Sequence, residues 1–117
     1  MKKRALIVED EVLVAMLVEE LLERLGYEVA AISSHLDQAL EFARTIEVDF
    51  AMLDINLNGK QSFPVAEVLR ARGIPFVFAT GYGGHAQGTE LFSQFANVPV
   101  VQKPFSRADL VQALARL

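Results

Sequence analysis

Ala5-Leu6-Ile7-Val8-Glu9-Asp10 is a short apolar run, rich in β-branched residues, closed abruptly by two acids. The same ending recurs at Phe50-Ala51-Met52-Leu53-Asp54. Runs of this length with helical patterns between them read as strands of a parallel sheet buried on both faces. In such a sheet the C-terminal ends of the strands line one edge, and ligands bind there where the strand order reverses. Glu9, Asp10 and Asp54 therefore gather at one rim. Carboxylates so placed repel one another and raise each other's pKa unless a cation sits among them, and a hard divalent ion with oxygen ligands answers that need.

Working outward, strand and helix signals alternate regularly. Residues 4–8 form the first strand and 11–25 the first helix, which Gly26 stops with Arg24 in its last turn. On that helix Val14, Leu17, Val18, Leu21 and Leu25 are placed on the core stripe, which leaves Val12 and Met16 on the outer face. The second strand is 28–32. Ser34, with Asp37 three residues on, has the pattern of a capping box for a helix over 35–46. The third strand is 50–54, and Asn56-Leu57-Asn58-Gly59 is turn chemistry. A third helix spans 64–72, with Pro64 in its first turn and Gly73 after it. Strands follow at 76–80 and 98–102, where Pro99 suits an edge position. Ser106 and Asp109 cap a last helix over 107–116. Between the last two strands, Gly81, Gly83, Gly84 and Gly88 weaken any helix, at about 1 kcal/mol per glycine relative to alanine; only Thr89 to Phe95 is expected to form a short one.

Two more strand ends complete the chemistry. Thr80 closes Phe76-Val77-Phe78-Ala79, and Lys103 follows Val98-Pro99-Val100-Val101-Gln102. A hydroxyl, an ammonium and a Mg2+ site around one aspartate suit a phosphoryl group: metal and lysine neutralise its oxygens, the hydroxyl donates a hydrogen bond, and the aspartate serves as nucleophile. Glu9-Asp10, Asp54, Thr80 and Lys103-Pro104-Phe105 stand in the order and approximate spacing of the receiver domain of two-component response regulators, which the chain resembles over essentially its whole length. The resemblance implies an α/β fold: a doubly wound five-stranded parallel sheet of flavodoxin-like order 2-1-3-4-5 with helices on both faces. It implies that Asp54 is the phosphoacceptor, Asp10 a direct metal ligand, Glu9 a ligand through water, and the backbone carbonyl of Asn56 a further ligand. It also implies a phosphoacceptor signalling domain rather than an enzyme, one that assists its own phosphotransfer and autodephosphorylation.

The chain departs from the common receiver pattern at several places. Val100 stands where the family usually has an aromatic, Asn58 where a proline is common, and Ser62 where a glycine is frequent. Phe78-Ala79-Thr80-Gly81-Tyr82 resembles an atypical class of single-domain receivers with a Phe-Ala-Thr-Gly motif, associated with HWE-type histidine kinases. In that reading Tyr82 replaces the missing switch aromatic, and activation acts through residues 81–97, strand five and the last helix.

Bulk properties narrow the rest. At 117 residues, 52% of them hydrophobic and 22% charged, the chain has the size and composition of one globular domain, taken here as 1–117. A formal charge of −4, with no basic cluster beyond Lys2-Lys3-Arg4, argues against nucleic acid. There is no cysteine, no run of membrane-spanning length, and the apolar stretch after Arg4 is too short for a signal peptide. A soluble cytoplasmic protein is the default expectation, a monomer or phosphorylation-dependent dimer whose partner is a histidine kinase or histidine phosphotransfer protein. His35 and His85 are read as surface residues. Gly81-x-Gly83-x-x-Ala86 passes as a dinucleotide fingerprint but follows the wrong strand. An aspartyl-phosphate phosphatase of the haloacid dehalogenase class usually carries Asp where Asn56 stands. The remaining alternative is a receiver-like module that binds partners without phosphorylation.

Overall fold

The computed structural model describes residues 2–81 and 94–117. Their elements are β1 (Lys3–Val8), α1 (Val12–Arg24), β2 (Tyr27–Ser33), α2 (Leu36–Thr45), β3 (Phe50–Asp54), β4 (Asn56–Leu57), β5 (Lys60–Gln61), α3 (Phe63–Ala71), β6 (Phe76–Thr80), β7 (Val100–Gln102) and α4 (Arg107–Ala115). The five long strands form a parallel sheet in the order β2-β1-β3-β6-β7, and β4 and β5 make a separate antiparallel pair. Counted without that small hairpin, this is the expected 2-1-3-4-5 order. The short helix expected over Thr89 to Phe95, together with Tyr82 and His85, lies wholly or largely outside the described residues.

The alternation of side chains along each strand divides the interior in two. Leu6, Val8, Ala51, Leu53, Phe76 and Phe78 face α2 and α3, while Ala5, Ile7, Phe50, Met52, Val77 and Ala79 face α1 and α4. Every residue of β3 is buried, as a central strand covered on both faces requires. On the α2–α3 side, Phe63, Phe76, Phe78 and Phe95 form an aromatic cluster with ring centroids 5.5–6.0 Å apart. Arg70 lies 4.1 Å over the ring of Phe95 and donates to the carbonyl of Gln94 at 2.7 Å, so α3 holds the segment that leads into β7.

Several local expectations need correction. The core stripe of α1 is Ala15, Val18 and Leu22; Leu17 is exposed, and Val14, Leu21 and Leu25 are only partly buried. The Ser34–Asp37 capping box does not form. The N-cap of α2 is His35, and the preceding turn is closed instead by Ser33, whose hydroxyl donates to the His35 carbonyl at 3.0 Å. By contrast the Ser106–Asp109 box at α4 is complete, with bonds of 2.9 and 3.1 Å. The last strand is shorter than expected because Val98 turns back, its N–H donating to the Phe95 carbonyl at 2.9 Å, and Pro99 joins the sheet only through its carbonyl, which accepts from Phe78. The edge strand β2 carries a register shift opposite Ala5 and Leu6, and such an irregularity blunts an open edge.

Candidate functional site

In a parallel sheet of this winding, loops and helix N-termini crowd the C-terminal strand edge. The switch point lies between β1 and β3, whose outward connections leave in opposite directions to β2 and β6. Glu9 and Asp10 follow β1 and Asp54 ends β3, so their ligand oxygens lie within 4.8 Å of one another. Glu9 and Asp54 are 4% and 5% exposed, while Asp10 is partly open to solvent. Lys103, one residue past β7, reaches across the edge. Its Nζ stands 2.9 Å from Glu9 Oε1, 3.0 Å from Asp54 Oδ2 and 3.6 Å from Glu11 Oε1.

Two buried carboxylates against one ammonium leave negative charge in excess, and proton uptake is the cheapest relief. Burial pushes Glu9 up to about 8, against the lowering effect of Lys103, and a side-chain hydrogen bond ties it to Asp54. Burial also raises Asp54, opposed by its hydrogen bonds from Glu9, Lys103 and the Asn56 N–H. Burial would deprotonate Lys103, but its bonds to Glu9 and Asp54 outweigh that and hold it firmly charged. Asp10 goes the other way. Burial would raise it, yet the Asn58 N–H and the neighbouring carboxyls hold it below the ordinary carboxylate range.

Each Asp54 oxygen has a partner: Oδ1 accepts from the Asn56 N–H at 3.2 Å and Oδ2 from Lys103. Thr80 ends β6 one residue beyond Ala79, the register partner of Asp54, and pairs with Gln102 on β7. Its carbonyl accepts from the Lys103 N–H at 2.7 Å, so the threonine and lysine backbones are joined directly. Asn56 opens the β4–β5 hairpin two residues past Asp54, and its N–H bonds Asp54 Oδ1. The structure thus brings Glu9, Asp10, Asp54 and Lys103 into one cluster, with Asn56 and Thr80 on its border. All the ligand atoms are oxygens, the donor set a hard divalent cation takes.

Two residues escaped the sequence reading. Glu11 is a third carboxylate on Lys103, and its backbone N–H donates to Glu9 Oε2 at 3.1 Å. Asn58 donates its backbone N–H to Asp10 Oδ2 at 2.9 Å. The Asn58-Gly59 pair was a signal for the second: it is the preferred sequence of a tight hairpin turn with both residues at positive φ.

Known proteins resemble this chain over most of its length. The family profile of the response regulator receiver domain matches residues 5–115. The solution structure of SdrG from Sphingomonas melonis Fr1 superposes with a TM-score of 0.86 at 42% identity, covering 98% of this chain and 95% of that one. The receiver domain of Erythrobacter litoralis PhyR shares the fold, with a TM-score of 0.82 at 24% identity over 98% of this chain and 88% of that one. Among curated proteins, the transcriptional regulatory protein PdtaR of Mycobacterium tuberculosis is 28% identical over 113 residues, 96% of this chain and 55% of PdtaR. The DNA-binding response regulator MtrA of Mycolicibacterium smegmatis is 35% identical over 95% of this chain and 48% of MtrA. The chain spans about half the length of these two curated relatives. The family profile and the coverage of 42%-identical SdrG agree with the acid-and-lysine cluster at the sheet edge: the chain belongs to the response regulator receiver domain family.

Proposed function

We propose that this receiver takes a phosphoryl group from a histidine kinase or histidine phosphotransfer protein onto Asp54, with Mg2+ bound by Asp10, Asp54, the Asn56 carbonyl and, through water, Glu9. The observation that carries the reading is Lys103 Nζ lying 2.9 and 3.0 Å from Glu9 and Asp54 beside Asp10. Two buried, raised carboxylates that share one lysine have the charge deficit that a divalent cation fills. Mg2+, when bound, supplies positive charge against the phosphoryl oxygens.

The chain's own residues do the rest. An Asp54 carboxylate oxygen attacks phosphorus; the P–O bond forms as the P–N bond to the donor imidazole breaks, and the imidazole keeps the electron pair and takes up a proton. Lys103 moves from the carboxylates to the new phosphoryl group, which carries about −1.5 to −2 charge by the usual values for protein phosphates. Thr80 turns its hydroxyl toward the same group. Because the Lys103 N–H bonds the Thr80 carbonyl, the two displacements pull β6 and β7 together and alter the surface that β7 and α4 present. SdrG has also been solved in a BeF3-activated conformation, at 42% identity and a TM-score of 0.78 over 97% of this chain and 93% of that one, which supports an activation of the same kind here. Coverage of 95% of SdrG supports reading residues 1–117 as one receiver domain.

Labelling tests the proposal. Phosphotransfer from a phosphohistidine donor or a small phosphodonor is expected to be Mg2+-dependent, lost in Asp54→Asn and retained in Asp37→Asn, which alters an exposed acid on α2. Equal labelling of the Asp54→Asn protein would remove the assignment.

A further inference from the structure

The β4–β5 hairpin is built around Asn58 and Gly59, at φ +51° and +83°. An L-residue other than Asn or Asp is strained at such an angle, and proline is impossible there because its ring fixes φ near −65°. The position therefore keeps an N–H that proline would lack, and that N–H points at Asp10 Oδ2, 2.9 Å away. The Asn58 side chain makes a second tie: its amide donates to the Ser34 carbonyl at 3.1 Å. Behind the turn, Gly59 N–H donates to Asn56 Oδ1 at 3.0 Å, and Leu57 plugs the hairpin into the core at 1% exposure. One residue thus connects the loop after β1, which carries Asp10, to the loop after β2, which carries Ser34, through the hairpin that carries the Asn56 carbonyl.

We propose that Asn58 is a positioning residue of the metal site, its backbone N–H orienting Asp10 and its side chain locking that N–H against the loop after β2. The proposal rests on the metal reading given above. It follows from the geometry of the carboxylate. Oδ2 is engaged by Asn58, so Asp10 presents Oδ1 in a fixed direction, and a ligand oxygen held in place by a second hydrogen bond binds its ion more tightly. Linkage makes the effect reciprocal, so an ion that needs Asp10 in this orientation must also hold the hairpin more firmly. A turn-forming role alone predicts no loss of affinity on substitution by glycine, because a glycine at position 58 satisfies positive φ and keeps the N–H.

Asn58→Gly separates the two roles. Calorimetric titration of the unphosphorylated protein with MgCl2 is expected to show weakened affinity, with about tenfold as the ceiling, because the N–H on Asp10 is kept and only its side-chain lock to the Ser34 carbonyl is lost. The melting temperature in chelator should stay near that of wild type. Amide exchange on the wild-type protein is a second measurement that needs no variant: exchange at the Asn58 N–H should slow on saturation with Mg2+. Unchanged Mg2+ affinity in Asn58→Gly, or unchanged exchange at Asn58 in wild type, overturns the role of Asn58 and leaves the metal site standing. Failure of the wild-type protein to bind Mg2+ overturns both, so the two failures are distinguishable.

Discussion

Lys103 sits among Glu9, Asp54 and Glu11 with one positive charge for three carboxylates, and the pH dependence of the metal-free protein follows from that imbalance. Glu9 is raised from 4.5 to about 8 in the fold, so between those values the unfolded chain has released a proton that the folded chain retains. Stability therefore falls as pH rises through that window, and the raised Asp54 adds to the fall with the same sign. Asp10 has the opposite sign. Its pKa is depressed from 3.8, so its contribution is present above that value and is lost only on further acidification. Urea midpoints in chelator should decline from about pH 5 to pH 8, and Asp54→Asn should flatten the decline and exceed wild type in stability at pH 8. A wild-type profile that rises over this range would show that the pocket is not short of positive charge. These residues were legible in sequence because each closes an apolar run, and strand ends in a parallel sheet share an edge. Asn58 and Glu11 were not, since their roles depend on where a turn aims one N–H and where a helix start aims one side chain.

At the scale of elements, strand signals were the more reliable. A fully buried strand such as β3 is apolar at every position, whereas α1 is apolar around most of its circumference and periodicity alone could not choose its inner face. The helix settles on Ala15, Val18 and Leu22, small enough at Ala15 to approach the sheet closely. Val12, Leu13, Met16 and Leu17 are left exposed, Leu13 at 80%, and Leu17 lines a cavity of about 250 Å3 with Glu11, Val14, Lys103 and Phe105. If Asp54 is phosphorylated as proposed, an apolar face of this kind beside its edge suits docking of the phosphoryl donor. Met16→Lys is expected to slow transfer from a histidine kinase while leaving labelling by a small phosphodonor unchanged; parallel loss of both would mean a damaged fold. Elsewhere the helix ends depend on partners that local sequence does not specify. Arg72, just past α3, donates from Nη1 to the carbonyls of Ala43 and Ile46 at 2.6 and 3.0 Å, and so caps the end of α2. Arg72→Met keeps much of the stem and removes both bonds; it should cost about 2 kcal/mol, the scale for hydrogen bonds from a charged donor, read as a lower urea midpoint at unchanged slope.

Across the whole molecule, the winding separates what stabilises the frame from what the site demands. Helices in a parallel α/β sheet run back against the strands, so their N-termini lie at the edge with Asp54 and their C-terminal ends, including the Arg72 cap, lie at the other. The strand order was legible through the receiver resemblance, since periodicity locates five strands but not their neighbours; the β4–β5 strands left no signal, as two residues have no period, although Asn58-Gly59 marked their turn. The separation makes a quantitative expectation. Mg2+ that binds only the folded chain adds about 2.7 kcal/mol at one hundred times its dissociation constant. For a domain of this size that is a rise of about 10 °C in melting temperature. Arg72→Met should melt lower than wild type yet gain the same increment from Mg2+, because distant sites without shared partners act additively. Asp10→Asn should melt somewhat lower than wild type in chelator, because it gives up the contribution of the depressed carboxylate, and should lose most of the increment. If Arg72→Met also lost the Mg2+ increment, the metal edge and the opposite edge would be coupled through the sheet, and the division into a rigid frame and a charge-strained rim would fail.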